Sequence, residues 1–282
     1  MADGLEDRTD RTDATEQSSS PSSIGPMGAM LSIDSARAAP RCPGLLLAAF
    51  LLVAGAIGAA AFDVRDHGAT GDGATPDTEA VQRAIDACAE AGGGTVHFPP
   101  GTYFCGSLHL RNRVMLELDH GATILGMTGV DDYDPREELG FENDADAETS
   151  FFHQSLIWGE DLAHIGVRGS GVIDSNFQKR RGPKAIALKR CRDVTITGIR
   201  IVNIPNYAIS MLGTDNVLID GVTIRNGRAD GIDPDSCRNV RIANCHISTV
   251  DDAICPKTSF SLGERRACEN ITVTNCVLST VC

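Results

Sequence analysis

The sequence predicts an all-β fold: a parallel coil of short β-rungs, with a helix near the N-terminus capping the first rung. Three observations predict it. Apolar strand positions return at a period near 23. Val194, Val217, Val240 and Ile271 are spaced by 23, 23 and 31 residues, and Ile186, Ile209, Ile232 and Ile254 by 23, 23 and 22. A fixed period of this length marks stacked repeats, each of which buries its apolar face only against its neighbours. Next, the strand-like runs are short and divided by Gly, Asn and Pro turns, with no long helices between them. Composition agrees: 29 of 282 residues are Gly and aromatics are 5%, while an apolar content of 42% allows a sizeable core.

In chain order, residues 1–40 are polar, repetitive in Asp, Arg and Thr, and lack an apolar period, so they read as a disordered tail. Residues 41–61 contain the uncharged apolar run GLLLAAFLLVAGAIGAAA from Gly44 to Ala61, preceded by Arg37 and Arg41. Ala59-Ala60-Ala61 supplies an A-x-A cleavage pattern, so the segment reads as a secretory signal peptide, with a start at Met27 or Met30. The rival reading is a membrane anchor, because 18 residues just span a bilayer. Either way, residues 62–282 are expected outside the cytoplasm, as one β-coil domain.

Within that domain, Asp77-Thr78 is expected to cap a helix running to about Ala91, with Ala80, Val81, Ala84, Ile85 and Cys88 at helical spacing. Gly92-Gly93-Gly94 stops it. Short strands follow at 95–98, 102–104, 108–110, 114–118 and 123–125. Met127 to Ser150 is acidic and irregular and reads as a long surface loop. The repeat emerges from Leu156 onward, and the 31-residue spacing implies an insertion of about eight residues near Ser259–Ala267. Cys245 and Cys276 take the repeat position of Ile199 and Val222, while Cys191, Cys237 and Cys268 share one with Thr214. Small residues stacked in the core explain this; disulfides between rungs are the alternative. No Cys or His spacing suggests zinc.

The stretch from Arg228 to Thr258 carries the candidate chemistry. Two acidic segments, Ala229-Asp230-Gly231-Ile232-Asp233 and Asp251-Asp252-Ala253-Ile254, flank a strand-like run. Asp230 overlays Asp252 at an offset of 22, which places both on one wall of successive coils. Carboxylates held close cannot all ionise comfortably, and the outcome is a protonated acid beside an ionised base. Glycosidic cleavage requires that pair. Two other readings stay open on spacing alone: turn aspartates that satisfy backbone N–H groups, and a calcium site. A net charge of −13 argues against generic nucleic-acid binding. Locally, Lys179, Arg180, Arg181, Lys184, Lys189, Arg190 and Arg192 crowd together and either line a groove for a polyanion or form a solvated face. Lys257 is the stronger candidate for substrate contact, and His246 reads as structural.

From about Phe62 to its end, the chain resembles glycoside hydrolase family 28, the polygalacturonase family of right-handed parallel β-helices. The resemblance rests on FDVRDHGATGDG, on Gly171–Asn176, on Asn203-Ile204-Pro205-Asn206-Tyr207, and on the pairing of ADGID with TVDDAI. It implies Asp251 as general acid, Asp230 and Asp252 sharing the attacking water, inversion at the anomeric carbon, and a pectic polysaccharide as substrate. Lys257 and Asp233 are the expected substrate contacts. No metal or cofactor is expected, and the protein is expected to be a secreted monomer.

The departures from the family pattern are Arg228-Ala229 for Asn-Thr, Val250 for Gly, and Pro256 in the strand after the acidic pair, where it removes a ladder N–H. The family's Gly-His-Gly and Arg-x-Lys motifs have no counterpart, so a truncated coil with weak or no activity and an open sheet edge is expected. Two alternatives remain from other functional classes: a calcium-dependent polysaccharide lyase, and a non-catalytic glycan-binding coil.

Overall fold

The computed structural model describes residues 61–176, 179–225 and 227–281. The chain divides into two units, Met1–Ala54 and Gly55–Cys282, and every described residue belongs to the second. The expected polar tail and the apolar run up to Ala60 lie outside the described residues. Among the described residues, no helix is long and apolar enough to cross a membrane.

The backbone winds into a parallel β-helix. Its wall consists of two eight-stranded sheets and one five-stranded sheet, every pairing parallel, among the described residues. The sequence period is the coil period. In the first sheet Val194 pairs with Val217, Val217 with Val240, and Val240 with Ile271. In the five-stranded sheet Ile186 pairs with Ile209 and Ile209 with Ile232, and an isolated bridge joins Ile232 to Ile254. Like side chains therefore stack in columns inside the coil. Ile186, Ile209 and Ile232 are fully buried, each worth roughly 1.5–3 kcal/mol relative to exposure.

Corners are set by Asn and Asp. Asp193, Asn216, Asn239 and Asn270 occupy one corner of successive coils, all with φ between 55° and 60°. These two residue types tolerate the left-handed region better than other side chains. Their side chains also form a ladder: Asn216 donates to Asp193, Asn239 to Asn216, and Asn270 to Asn239, at 3.0–3.1 Å. A second ladder links Asp220, Asn244 and Asn275.

The expected helix runs from Thr78 to Glu90 and buries Ala80, Val81, Ala84, Ile85 and Cys88. It packs against the first strands, Ala61–Asp63 and Gly94–Phe98 among them. Asp77 does not cap it through its side chain. That buried carboxylate instead accepts from the backbone N–H groups of Thr70 and Gly71, fixing the preceding turn. The eight described cysteines are free thiols. Cys237, Cys245 and Cys276 each donate to a carbonyl two residues earlier, as small residues packed along the coil.

Two excursions leave the coil on the five-stranded side. The loop that follows Ala122–Gly126 is more closely packed than its acidity suggests. Glu137 accepts from the N–H groups of Phe152 and His153 and pairs with buried Lys189, while Asp134 accepts from Trp158. The inserted segment near Ser259–Ala267 is held by Asp235, which accepts from Ser259, and by Arg266, which pairs with Asp215. Asn143 joins the two excursions through Ser261. At the far end, Val273, Val277 and Leu278 of the last strands are exposed, as is Val281 just after them.

Candidate active site

The five-stranded sheet ends with Ile232–Asp235. The next coil follows it through two isolated bridges, Ile232 to Ile254 and Asp235 to Lys257. Pro234 explains the gap: it has no N–H to donate to the next coil, although its carbonyl still accepts from Lys257 N at 3.1 Å. The segments that lead into these two coils carry the aspartates. Gly231 N donates to Asp252 O at 2.8 Å, and Ala208 N to Asp230 O at 3.1 Å. This backbone register sets Asp230 beside Asp252. Their carboxyl oxygens and the Cys255 sulfur lie within 4.8 Å of one another. Gly231 permits the approach: a Cβ there would stand 2.5 Å from Ala253 O and 2.7 Å from Ile247 Cγ2.

The three aspartates differ in their surroundings. Asp230 is buried and accepts a 3.3 Å bond from Lys257 Nζ. Asp252 is exposed. Asp251 is half-buried, receives its own neighbour's N–H at 3.2 Å, and faces Arg180 Nη2 at 3.3 Å. Thr249 and Thr280 both donate to the Asp251 carbonyl, holding its backbone.

Asp233 and Lys257, expected at the substrate, form a pair within the wall. Asp233 is 1% exposed, and Lys257 Nζ stands 2.5 Å from its Oδ1. Burial alone would push the Lys257 ammonium down. The Asp233 charge and contact outweigh it, so the lysine is held above its ordinary range, while burial pushes the Asp233 carboxyl well up against the pull of that same cation. Tyr207 adds a ring face 4.5 Å from the ammonium. Lys257, 22% exposed, supports Asp230 from the protein side, and Asp233 does not meet the open surface.

The basic run is not a continuous groove. Lys184 and Lys189 are buried, Arg190 pairs with Glu160 and Asp161, and Arg192 pairs with Asp193. Sequence reasoning missed Glu148 and Cys255 at the site. Glu148 comes from the acidic loop and reaches Arg180 at 3.7 Å, a contact without any local sequence signal. As a metal centre, Asp230, Asp252 and Cys255 offer two carboxylates and a thiol. A calcium ion takes six to eight oxygens, so this donor set suits it poorly.

Residues 139–280 match the family model for glycosyl hydrolases family 28. The chain belongs to this family. Residues 61–117 match a second model, rhamnogalacturonase A/epimerase, pectate lyase-like. A probable polygalacturonase of Vitis vinifera is 30% identical over 69% of this chain and 44% of its own length. The family 28 exopolygalacturonase of Yersinia enterocolitica aligns over 77% of this chain and 48% of its own, at 24% identity and a TM-score of 0.65. The polygalacturonase of Erwinia carotovora ssp. carotovora aligns over 79% and 67%, at 18% identity and a TM-score of 0.62. These structural likenesses carry the fold, the right-handed parallel β-helix. The family 28 chain spans less than half the length of the first curated relatives it matches.

Proposed function

We propose that this chain is the catalytic coil of a glycoside hydrolase that cleaves pectic polysaccharide of the polygalacturonate type. The observation that carries the reading is the meeting of Asp230 and Asp252, from adjacent coils of a family 28 chain, within 4.8 Å. Both can accept hydrogen bonds from one water molecule and take its proton as it attacks the anomeric carbon. Asp251, next in the chain and half-buried, donates its proton to the departing glycosidic oxygen. The C–O bond breaks as the water oxygen bonds from the opposite face, so the new hydroxyl has inverted configuration. The proton gained at the Asp230–Asp252 pair returns to solvent, and Asp251 is reprotonated. The polygalacturonase names of the relatives support the substrate class. The leader-like run at 44–61 supports delivery outside the cytoplasm. A mature N-terminus close to Phe62 in secreted material would test that delivery.

The deciding experiment incubates the full chain with polygalacturonate. New reducing ends without ultraviolet absorbance, the product anomer read by NMR, are the expected result. An unsaturated product that absorbs in the ultraviolet overturns hydrolysis in favour of a lyase. Retained binding with neither product leaves a glycan-binding coil.

A further inference from the structure

Arg180 reaches across from the basic run to the acidic site. Among the described residues of that run, it is the one with a contact to a candidate catalytic carboxylate. It faces two acids that sequence distance hides from it: Asp251, 71 residues away, at 3.3 Å, and Glu148 of the acidic loop at 3.7 Å. A guanidinium carries five N–H donors. Neither contact is as short as the 2.7–2.9 Å of a well-made charge-assisted bond, and the side chain is 51% exposed. The fork is therefore anchored on one side and open on the other.

The charges around it define what it can take. Asp230, Asp251 and Asp252 give the site three carboxylates, and Lys257 is committed to Asp230 and Asp233. Lys184 is buried, 1% exposed. A uronate sugar brings a further negative charge, which needs a cation that can still turn toward it. We propose that Arg180 is the residue that binds the substrate carboxylate, leaving Asp251 for the incoming uronate. The planar fork suits a carboxylate bidentately, and a methyl ester offers neither the charge nor the second oxygen. The exchange also frees Asp251 from its counter-ion before it acts as the acid. This assignment rests on the hydrolase reading for its place in the reaction, but not for the binding itself.

The test measures binding and cleavage in the same samples. The full chain, Arg180→Gln and Arg180→Lys are titrated calorimetrically with trigalacturonate and with its methyl ester, while reducing ends are assayed in parallel. Thermal melts confirm that each variant is folded. The unmodified chain is expected to prefer the free acid by about tenfold or more, the worth of a hydrogen bond to a charged group. Arg180→Gln should bind acid and ester alike, and Arg180→Lys should fall between. A preference that survives in Arg180→Gln overturns the assignment, as does a wild type that prefers neither ligand or binds neither. Retained preference in a wild type that releases no reducing ends overturns the hydrolase reading while leaving the Arg180 assignment in place.

Discussion

The Lys257 ammonium lies 2.5 Å from the Asp233 carboxylate, and the two belong to adjacent coils. Asp233 is 1% exposed and burial already pushes its carboxyl up, so removing its cation makes it take a proton inside the wall. Lys257→Met keeps the apolar stem and deletes the charge. It is expected to cost about 3 kcal/mol or less, below the usual penalty for breaking a fully buried pair, because Lys257 is 22% exposed and Asp233 can take a proton. Replacing both partners, in Lys257→Met with Asp233→Leu, should recover most of that loss. Urea unfolding of the two variants checks it. A single variant as stable as the parent would mean that the pair is not ionic.

Lys184 is expected to make stability depend on pH. Its side chain is 1% exposed, donates to Phe151 O, and lies 3.8 Å from the Phe152 ring centroid. Burial brings its pKa down to about 7, against the pull of Asp233 and Glu137. Between that value and the unfolded one of roughly 10.4, the unfolded chain binds a proton that the native chain does not, so this group makes stability rise with pH. Below about 7 the fold bears the full cost of a buried ammonium. The raised thiols of Cys191 and Cys245, each about 11, act the other way once unfolded thiols ionise, near 8.5. The window for Lys184 is therefore roughly pH 7 to 8.5. Lys184→Met should be more stable than the parent at pH 6, by up to a few kcal/mol. The advantage should shrink as pH rises through that window. Denaturant midpoints for both proteins from pH 6 to 9 measure it; a constant difference would show that Lys184 is charged throughout.

Gly231 tests the backbone register at the site. A Cβ at this position meets Ala253 O at 2.5 Å and Ile247 Cγ2 at 2.7 Å. Something must shift, and the segment that moves carries either Asp230 or Asp252. Gly231→Ala is expected to lose roughly 1–3 kcal/mol of stability, as overpacking does. Its loss of polygalacturonate cleavage should exceed what that destabilisation alone explains. Thermal melts and reducing-end assays at a temperature where the variant is folded separate the two effects.

The coil was legible because it repeats. Val194, Val217 and Val240 must recur at one interval if they are to stack, and Asn216 and Asn239 must mark the same corner, so period and turn chemistry announce the fold together. Asp230 and Asp252 were legible for the same reason, since they share a place in consecutive repeats. Contacts made between excursions had no such signal. Glu148 reaches Arg180 from a loop without period, and the pairing of Glu137 with Lys189 depends on how that loop lies across the sheet. Asp233, expected at the substrate, is enclosed in the wall, because the sequence does not show what covers a side chain.

Asp230 and Asp252 should fail together rather than separately. If they hold one water between them, removing either carboxylate removes the arrangement, and removing the second adds little. Asp230→Asn and Asp252→Asn are each expected to lower kcat on polygalacturonate by about 10²–10⁴, the range for general acid–base groups. The double variant should fall no more than a few-fold further, because groups that act as a unit are not additive. Asp251→Asn should lose a comparable amount by a different route, since it removes the proton given to the leaving oxygen. A substrate with an activated leaving group, such as an aryl uronide, separates these routes. It needs no protonated acid, so it should restore turnover to Asp251→Asn and not to the other two. Equal rescue of all three variants would place the water elsewhere and end the assignment of Asp230 and Asp252 as its holders.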